Sequence, residues 1–199
     1  MHKLSVSMKL FQTLVLSLSL ALLSSCQTMD DPSKEELLNR AAVTTVSSMV
    51  GFVGSSYSWH KSATQYYSNP KIGDPALQGM LQKAISNNLS AKGYEFNKNS
   101  WESDLFVGYV AALESSLSSK EIAEIYGVNP GLPELSNDLN KHEKGTLIIH
   151  VFDTKLGKLL WRGALQAEVQ IEREPNERWE RVQNAINVLM HDFPSANAN

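Results

Sequence analysis

Imidazole, carboxylate and thiol groups are the side chains here that could move protons, ligate a metal or attack a substrate. His60, His142, His150 and His191 stand far apart, with no His-x-x-x-His pair and no cysteine pair beside them, so no zinc site is signalled. There is no Gly-x-Ser-x-Gly elbow; Asp153 reads as the start of a turn and Asp192, beside His191, as a solvated helix end. The expectation is therefore no catalytic residue, no metal and no cofactor, although residues distant in sequence can still converge in space. Tyr57 and Arg162 are the binding candidates, because aromatic and Arg side chains are enriched at binding hot spots. Trp161 falls with Leu159 and Leu165 on the inward side of an alternating strand, which points Arg162 outward, to meet a ligand or to pair with an acid such as Glu168.

One thiol remains. Cys26 is the only cysteine of the 199 residues and closes Leu22-Leu23-Ser24-Ser25-Cys26. Ahead of it, His2, Lys3 and Lys9 with no acid precede an apolar run from Leu10 to Leu23, the layout of an export signal. The run is shorter than the roughly 20 apolar residues of a membrane-spanning helix, and Gln27, Asp30 and Asp31 follow at once. Leu23-Ser24-Ser25-Cys26 resembles a bacterial lipobox. The resemblance implies lipid transfer to the Cys26 sulfur, cleavage just before it, and acylation of the new amino terminus. Each buried acyl methylene contributes about 0.8 kcal/mol, so two or more chains hold a protein firmly on a membrane. Gln27 differs from the aspartate that resembles an inner-membrane retention signal, which directs the expectation to the outer membrane.

Composition then excludes classes of partner. Loss of residues 1–25 removes Lys3 and Lys9, leaving 16 basic against 21 acidic residues, a formal charge of −5. Nucleic acid is bound through clustered Lys and Arg, so it is not an expected partner. Ser119 to Val128 looks like the first helix and turn of a helix-turn-helix, but Asn129-Pro130-Gly131-Leu132-Pro133 stands where a recognition helix should follow. A short surface helix is the expected structure there. Without disulfides in an oxidising compartment, stability must come from a packed core, and a chain of this length can build one.

The elements that would position these residues follow from periodicity. Ser33-Lys34-Glu35-Glu36 fits a capping box for a short helix, and Val43-Thr44-Thr45-Val46 favours strand, although the register from 43 to 54 stays open. Ser55 to His60 reads as a strand with Tyr57 and Trp59 on one face. Asp74 and Pro75 cap a helix whose stripe is Leu77, Met80, Leu81, Ala84, Ile85 and Leu89, closed by Lys92-Gly93. Tyr94 to Phe96 restarts a strand, and Leu105 to Leu113 is apolar on both faces, as a central strand is. Thr146 to Phe152 and Leu159 to Ile171 form a hairpin about Asp153 to Lys158, one face of its second strand buried and the other mostly wet. Trp179, Val182, Ile186, Leu189 and Phe193 space a last helix. The expected fold is α+β: a two-layer sandwich of a mostly antiparallel sheet with two helices packed on one face.

Tyr57-Ser58-Trp59, Lys92-Gly93-Tyr94, Asp104-Leu105-Phe106-Val107-Gly108-Tyr109, Gly145-Thr146-Leu147-Ile148-Ile149, the stretch Asp153 to Gly163 and Phe193-Pro194 occur in that order. The succession, over roughly residues 55 to 194, resembles the bacterial lipoproteins of domain-of-unknown-function family 4136. The resemblance implies an envelope lipoprotein with no established reaction and no catalytic residues to carry over. The expected organisation is a signal peptide at 1–25, then lipidated Cys26, a tether and a short helix at 26–54. An α+β domain follows at 55–194 with an insertion at 114–143, and a disordered tail at 195–199. The expected function is a lipid-anchored envelope protein on the periplasmic face of the outer membrane, a non-catalytic binding or structural module. It would meet the membrane through its anchor and an envelope protein or peptidoglycan through its domain. The alternative is a periplasmic hydrolase-like enzyme whose site the sequence does not advertise.

Overall fold

A computed structural model describes residues 41–67, 76–132, 142–170 and 174–197. Cys26, the capping box at Ser33 and the Asp74-Pro75 cap lie outside the described residues. The chain alternates β1 (Ala42–Ser47), β2 (Ser56–Trp59), β3 (Gln65–Tyr66), α1 (Ala76–Ala91), β4 (Glu95–Phe96), β5 (Leu105–Leu113), α2 (Ser119–Tyr126), β6 (His142–Asp153), β7 (Leu159–Gln170) and α3 (Pro175–Leu189). The strands form one mixed sheet in the order β1-β7-β6-β5-β2-β4, with β3 also on β5. The β1–β7, β7–β6 and β6–β5 pairs are antiparallel, and β2, β3 and β4 join in parallel. The fold is thus α+β with a mostly antiparallel sheet. The stretch whose register the sequence leaves open supplies edge strand β1, Ala42 pairing with Gln166 and Ser47 with Trp161, so the sheet begins ahead of residue 55.

α1 and α3 bury their stripes together against one face of the sheet. Leu81, Ile85 and Leu89 from α1, and Ile186 and Leu189 from α3, share a cluster with Trp161, Tyr109, Ile149 and Phe193. Each fully buried side chain of this kind contributes roughly 1.5–3 kcal/mol. Gly93, at φ +87°, ends α1 as its Lys92-Gly93 sequence predicts, and Lys92 Nζ then donates to the carbonyls of His191 and Phe193, tying the two helix ends together. Ala196 N donates to Lys92 O, so the first part of the 195–199 tail, expected to be disordered, packs on this junction. The Trp-Arg-Gly motif has a packing reason. A Cβ on Gly163, two residues after Trp161 on the same face, would collide with the indole and with Leu189.

The described residues hold three α-helices rather than two. The third, α2, is the short helix expected in the insertion, capped by Ser118 and Glu121 and closed by Gly127 at φ +65°. It reaches beyond the surface, because Ile122 is buried with Val110, Ile148 and Ala164 on the opposite face of the sheet. The face of β7 expected to be mostly wet is therefore covered there. Gln166 is buried, donating through Nε2 to Ser119 Oγ at 3.0 Å and Thr146 Oγ1 at 3.2 Å, and Ala164 is closed off entirely.

The β6–β7 turn forms as its sequence predicts. Asp153 Oδ1 accepts from the backbone N–H groups of Lys155 and Leu156, Gly157 N donates to Asp153 O, and Gly157 takes φ +62°. A bulge follows: Phe152 pairs with Leu159, but Val151 pairs with Trp161. Leu159 consequently joins Phe152 on the α2 side and is only half-buried, while Leu160 packs in the core with Trp161 and Leu165. Leu159 was expected on the inward face; the extra residue in the ladder shifts it off.

Candidate functional site

A polar concavity opens on the α2 face, beside the covered part. Register builds its floor. Arg162 on β7 lies directly opposite His150 on β6, and His150 in turn opposite Gly108 on β5. Gly108 is required by a close approach: a Cβ there would lie 2.6 Å from the Ala63 carbonyl oxygen. That space admits the 3-10 turn Lys61–Ala63, which leaves β2 and folds over the sheet before β3 resumes on β5. Between this turn and the C-terminal end of α2 remains a cleft of about 240 Å³, lined by Ser62, Ala63, Gln65, Val110, Tyr126, His150, Phe152 and Arg162.

Its polar groups are wired together. Arg162 Nε donates to His150 Nδ1 at 3.0 Å, and the same guanidinium donates to the Tyr126 carbonyl. His150 is therefore neutral, with its proton on Nε2. Burial, reinforced by the charges of Arg162 and His60, pushes the imidazole down to about 4. The Tyr126 and Tyr67 hydroxyls both donate to Gln65 Oε1, at 3.0 and 3.1 Å. Burial and the neighbouring Tyr67 raise the Tyr126 hydroxyl, which stays protonated. Tyr126 and Phe152 give the cleft aromatic walls: Tyr126 lies over His150 with centroids 5.7 Å apart, and Phe152 is backed by the tilted ring of His60, itself edge-on to Phe106. His60 Nδ1 accepts from Ala63 N at 3.1 Å. Hydrogen-bond donors and one fixed cation thus face a cleft that no carboxylate lines. Such a set suits ligand oxygens, carboxylate or phosphate above all. His150 itself, held near 4 with Nδ1 engaged by Arg162, accepts protons poorly at neutral pH.

The two binding candidates are not brought together. Arg162 lines the cleft, partly exposed, with His150 and Tyr126 as its partners. Tyr57 lies on the helix-pair face, buried under α1, its ring edge-on to Trp59 at 6.1 Å and tilted against Phe96 at 5.5 Å. His150, read from sequence as a plain strand residue, is the member that sequence reasoning missed. Counting back from the turn could have found it only with the bulge included; without the extra residue, His150 faces Trp161. A second cavity, of about 180 Å³, lies between α1, α3 and the far end of the sheet. It is mostly apolar, lined by Leu81, Leu147, Leu165 and Val182 together with Arg178 and Arg181. Among the described residues no group of three His, Cys, Asp or Glu side chains is placed to hold a metal ion, and no helix is long and apolar enough to cross a membrane.

The fold and cleft define an α+β domain built around a single sheet with a polar concavity on one face. The chain matches the domain-of-unknown-function family DUF4136 over residues 47–195 and belongs to that family. Among solved structures it is similar to PelC of Paraburkholderia phytofirmans, a dodecamer, at 9% identity and TM-score 0.49, covering 79% of this chain and 99% of that one. It is also similar to a DUF4136 family protein of Bacteroides thetaiotaomicron, at 15% identity and TM-score 0.46 over 77% and 95% of the two chains. The lipoprotein GNA1162 of Neisseria meningitidis matches at 10% identity and TM-score 0.39 over 69% and 99%. No curated protein matches the chain.

Proposed function

We propose that this protein is a lipid-anchored envelope protein, held through Cys26 on the periplasmic face of the outer membrane, whose domain binds a ligand rather than transforming one. The observation that carries the binding reading is the Arg162–His150 pair: a fixed guanidinium bonded to a neutral imidazole beside Tyr126 and Phe152, with that imidazole held in its non-basic state. Oxygen-rich anionic groups fit such a cleft. Peptidoglycan, whose peptides end in carboxylates, is the envelope partner of matching chemistry, with Arg162 as the contact. Tyr57 supports the fold beneath α1 in this reading.

The anchor is supported by the lone thiol at the end of a stretch that resembles a lipobox, behind a basic start and an apolar run. Cells expressing the parent chain or Cys26→Ser, grown with radiolabelled palmitate and fractionated, test it. The parent should carry label and sediment with outer membranes, and Cys26→Ser should carry none. Label in the Cys26→Ser chain would remove the anchor from the proposal.

A further inference from the structure

Among the described residues, one end of the sheet gathers most of the strongly exposed apolar side chains. β1 ends there as β7 begins, with Ser47 opposite Trp161; β6 ends there as β5 begins, with Asp153 opposite Leu105; and β2 starts alongside, with Tyr57 opposite Leu105. Three connections meet at that end, 48–55, 97–104 and 154–158. They display Val50 and Val53, Trp101, and Leu156, at 100%, 70%, 87% and 77% exposure. Apolar residues so exposed are ordinary when scattered, but their convergence on one end marks an interaction surface.

The tips are held in place. Asp104 Oδ2 accepts from Ser55 N, Ser56 N and Ser56 Oγ, its backbone carbonyl accepts from Thr154 N at 3.1 Å, and Phe52 N donates to Met49 O. Gly54 packs so close to Asp104 that a Cβ would stand 2.8 Å from the Asp104 Cβ. The three loops are thus buttressed against one another through Asp104, with Val50, Val53, Trp101 and Leu156 left exposed. Around them stand exposed Lys98, Lys155 and Lys158 and exposed Glu95 and Glu102, while the Asp104 and Asp153 carboxylates are turned onto backbone N–H groups. The balance of sign is mixed, so attraction between charges does not select the partner.

Shape does. The exposed side chains rise from separate turns beyond the strand ends rather than along a strand edge, so their complement is a broad surface that admits isolated side chains. Trp with branched aliphatics, fringed by lysines whose stems can lie along apolar surface, is the composition of a bilayer-interface contact. We propose that this end of the sheet docks on the lipid surface, with Val50, Val53, Trp101 and Leu156 entering the interface. The proposal rests on the lipid anchor at Cys26. From Cys26 to Ala41 the extended chain reaches about 50 Å, whereas β1 needs about 20 Å to run to the docking end. The tether therefore leaves that end free to meet the membrane, and tethering makes the contact intramolecular, so shallow insertion suffices.

The test uses the full lipidated chain in phosphatidylethanolamine–phosphatidylglycerol vesicles whose acyl chains are brominated, reading tryptophan emission after flotation. Bromine should quench the vesicle-bound parent, and Trp101→Phe should lose most of that quenching, because Trp161 is buried and Trp59 and Trp179 are partly buried and packed against the core. Val50→Asp combined with Leu156→Asp should also abolish it, with Trp101 still present and an unchanged melting temperature, both replaced side chains being exposed. A parent that floats but whose emission ignores bromine overturns the docking, leaves the anchor standing and points to a protein partner for the tips. Quenching that persists in Trp101→Phe overturns it as well. A parent that fails to float overturns the anchor and the docking together.

Discussion

The two faces of the sheet are filled by opposite means. Under α1 and α3, large apolar side chains interlock: Trp161 meets Phe193 edge-on at 5.2 Å, and Tyr109 meets Trp59 at 6.1 Å. Under α2 the sheet presents Gln166, Thr146, His150 and Arg162, each needing a particular partner. Apolar packing depends on volume and gives up stability in proportion to what is removed, whereas a polar network depends on direction and pairing. The eight-residue α2 covers only part of its face, and the cleft opens where its cover ends. The larger apolar core therefore lies on one face, and the polar network, beside a smaller apolar cluster, on the other.

The largest expected effect tests the first half of that contrast. Trp161→Ala should destabilise by about 3–5 kcal/mol, against a total of about 5–15 kcal/mol for a typical domain. Emptying the indole removes contacts to Phe193 and leaves a void beside Gly163 and Leu189, whose backbone cannot collapse to fill it. Thermal and denaturant melts of the parent and variant measure this. A variant that melts like the parent would show that the α1–α3 face is not where stability lies.

The helix-pair face was legible because its periodicities are intact. Leu81, Ile85 and Leu89 repeat at helical spacing, and Trp161 and Leu165 at strand spacing, so each element could be oriented from sequence alone. The turn was equally plain, since Asp153 and Gly157 have one geometry that satisfies both. The α2 face was hidden for two physical reasons. A single bulge between Val151 and Phe152 offsets the ladder, so alternation counted from the turn sends Leu159 inward and His150 opposite the wrong residue. The cover itself comes from an insertion whose helix turns one apolar residue, Ile122, to the sheet, too weak a stripe to announce which face it lies on. The close approach at Gly108 is likewise a property of two segments and is carried by neither alone.

The next effect lies on the polar face and appears in acid. The folded His150 titrates near 4 and an unfolded one near 6.5, so above pH 6.5 both forms are neutral and the residue adds nothing to the pH dependence. Between pH 6.5 and 4 the unfolded chain takes up a proton that the folded one refuses. Stability should fall with acidification across that window, by about 3 kcal/mol in all, and the contribution should stop changing below 4. His150→Asn retains an acceptor for Arg162 Nε and removes the titration. Denaturant melts at pH 7 and pH 4.5 should show a smaller acid loss for the variant than for the parent. Equal losses would mean that His150 titrates normally and that water reaches it freely, which would weaken the view of this face as a dry, wired network.

The smallest stability effect is the one that separates folding from recognition. Alternation alone makes Arg162 a free surface residue whose removal is neutral; the structure instead commits its guanidinium to His150 and the Tyr126 carbonyl. Arg162→Ala should cost about 1–2 kcal/mol, the scale of charge-assisted hydrogen bonds at a partly exposed site, well below Trp161→Ala. Its effect on binding should be far larger in proportion, because the fixed cation leaves the cleft. Calorimetric titration of soluble peptidoglycan fragments should give heat with the parent and none with Arg162→Ala. Arg162→Lys should recover charge but little binding, since an ammonium cannot reproduce the two-directional guanidinium contact that sets the geometry. If Arg162→Ala lowers the melting temperature while fragment binding is unchanged, the α2 face is a second structural layer like the first. The contrast between the faces then disappears, and the ligand-binding site must be sought in the apolar cavity between α1 and α3.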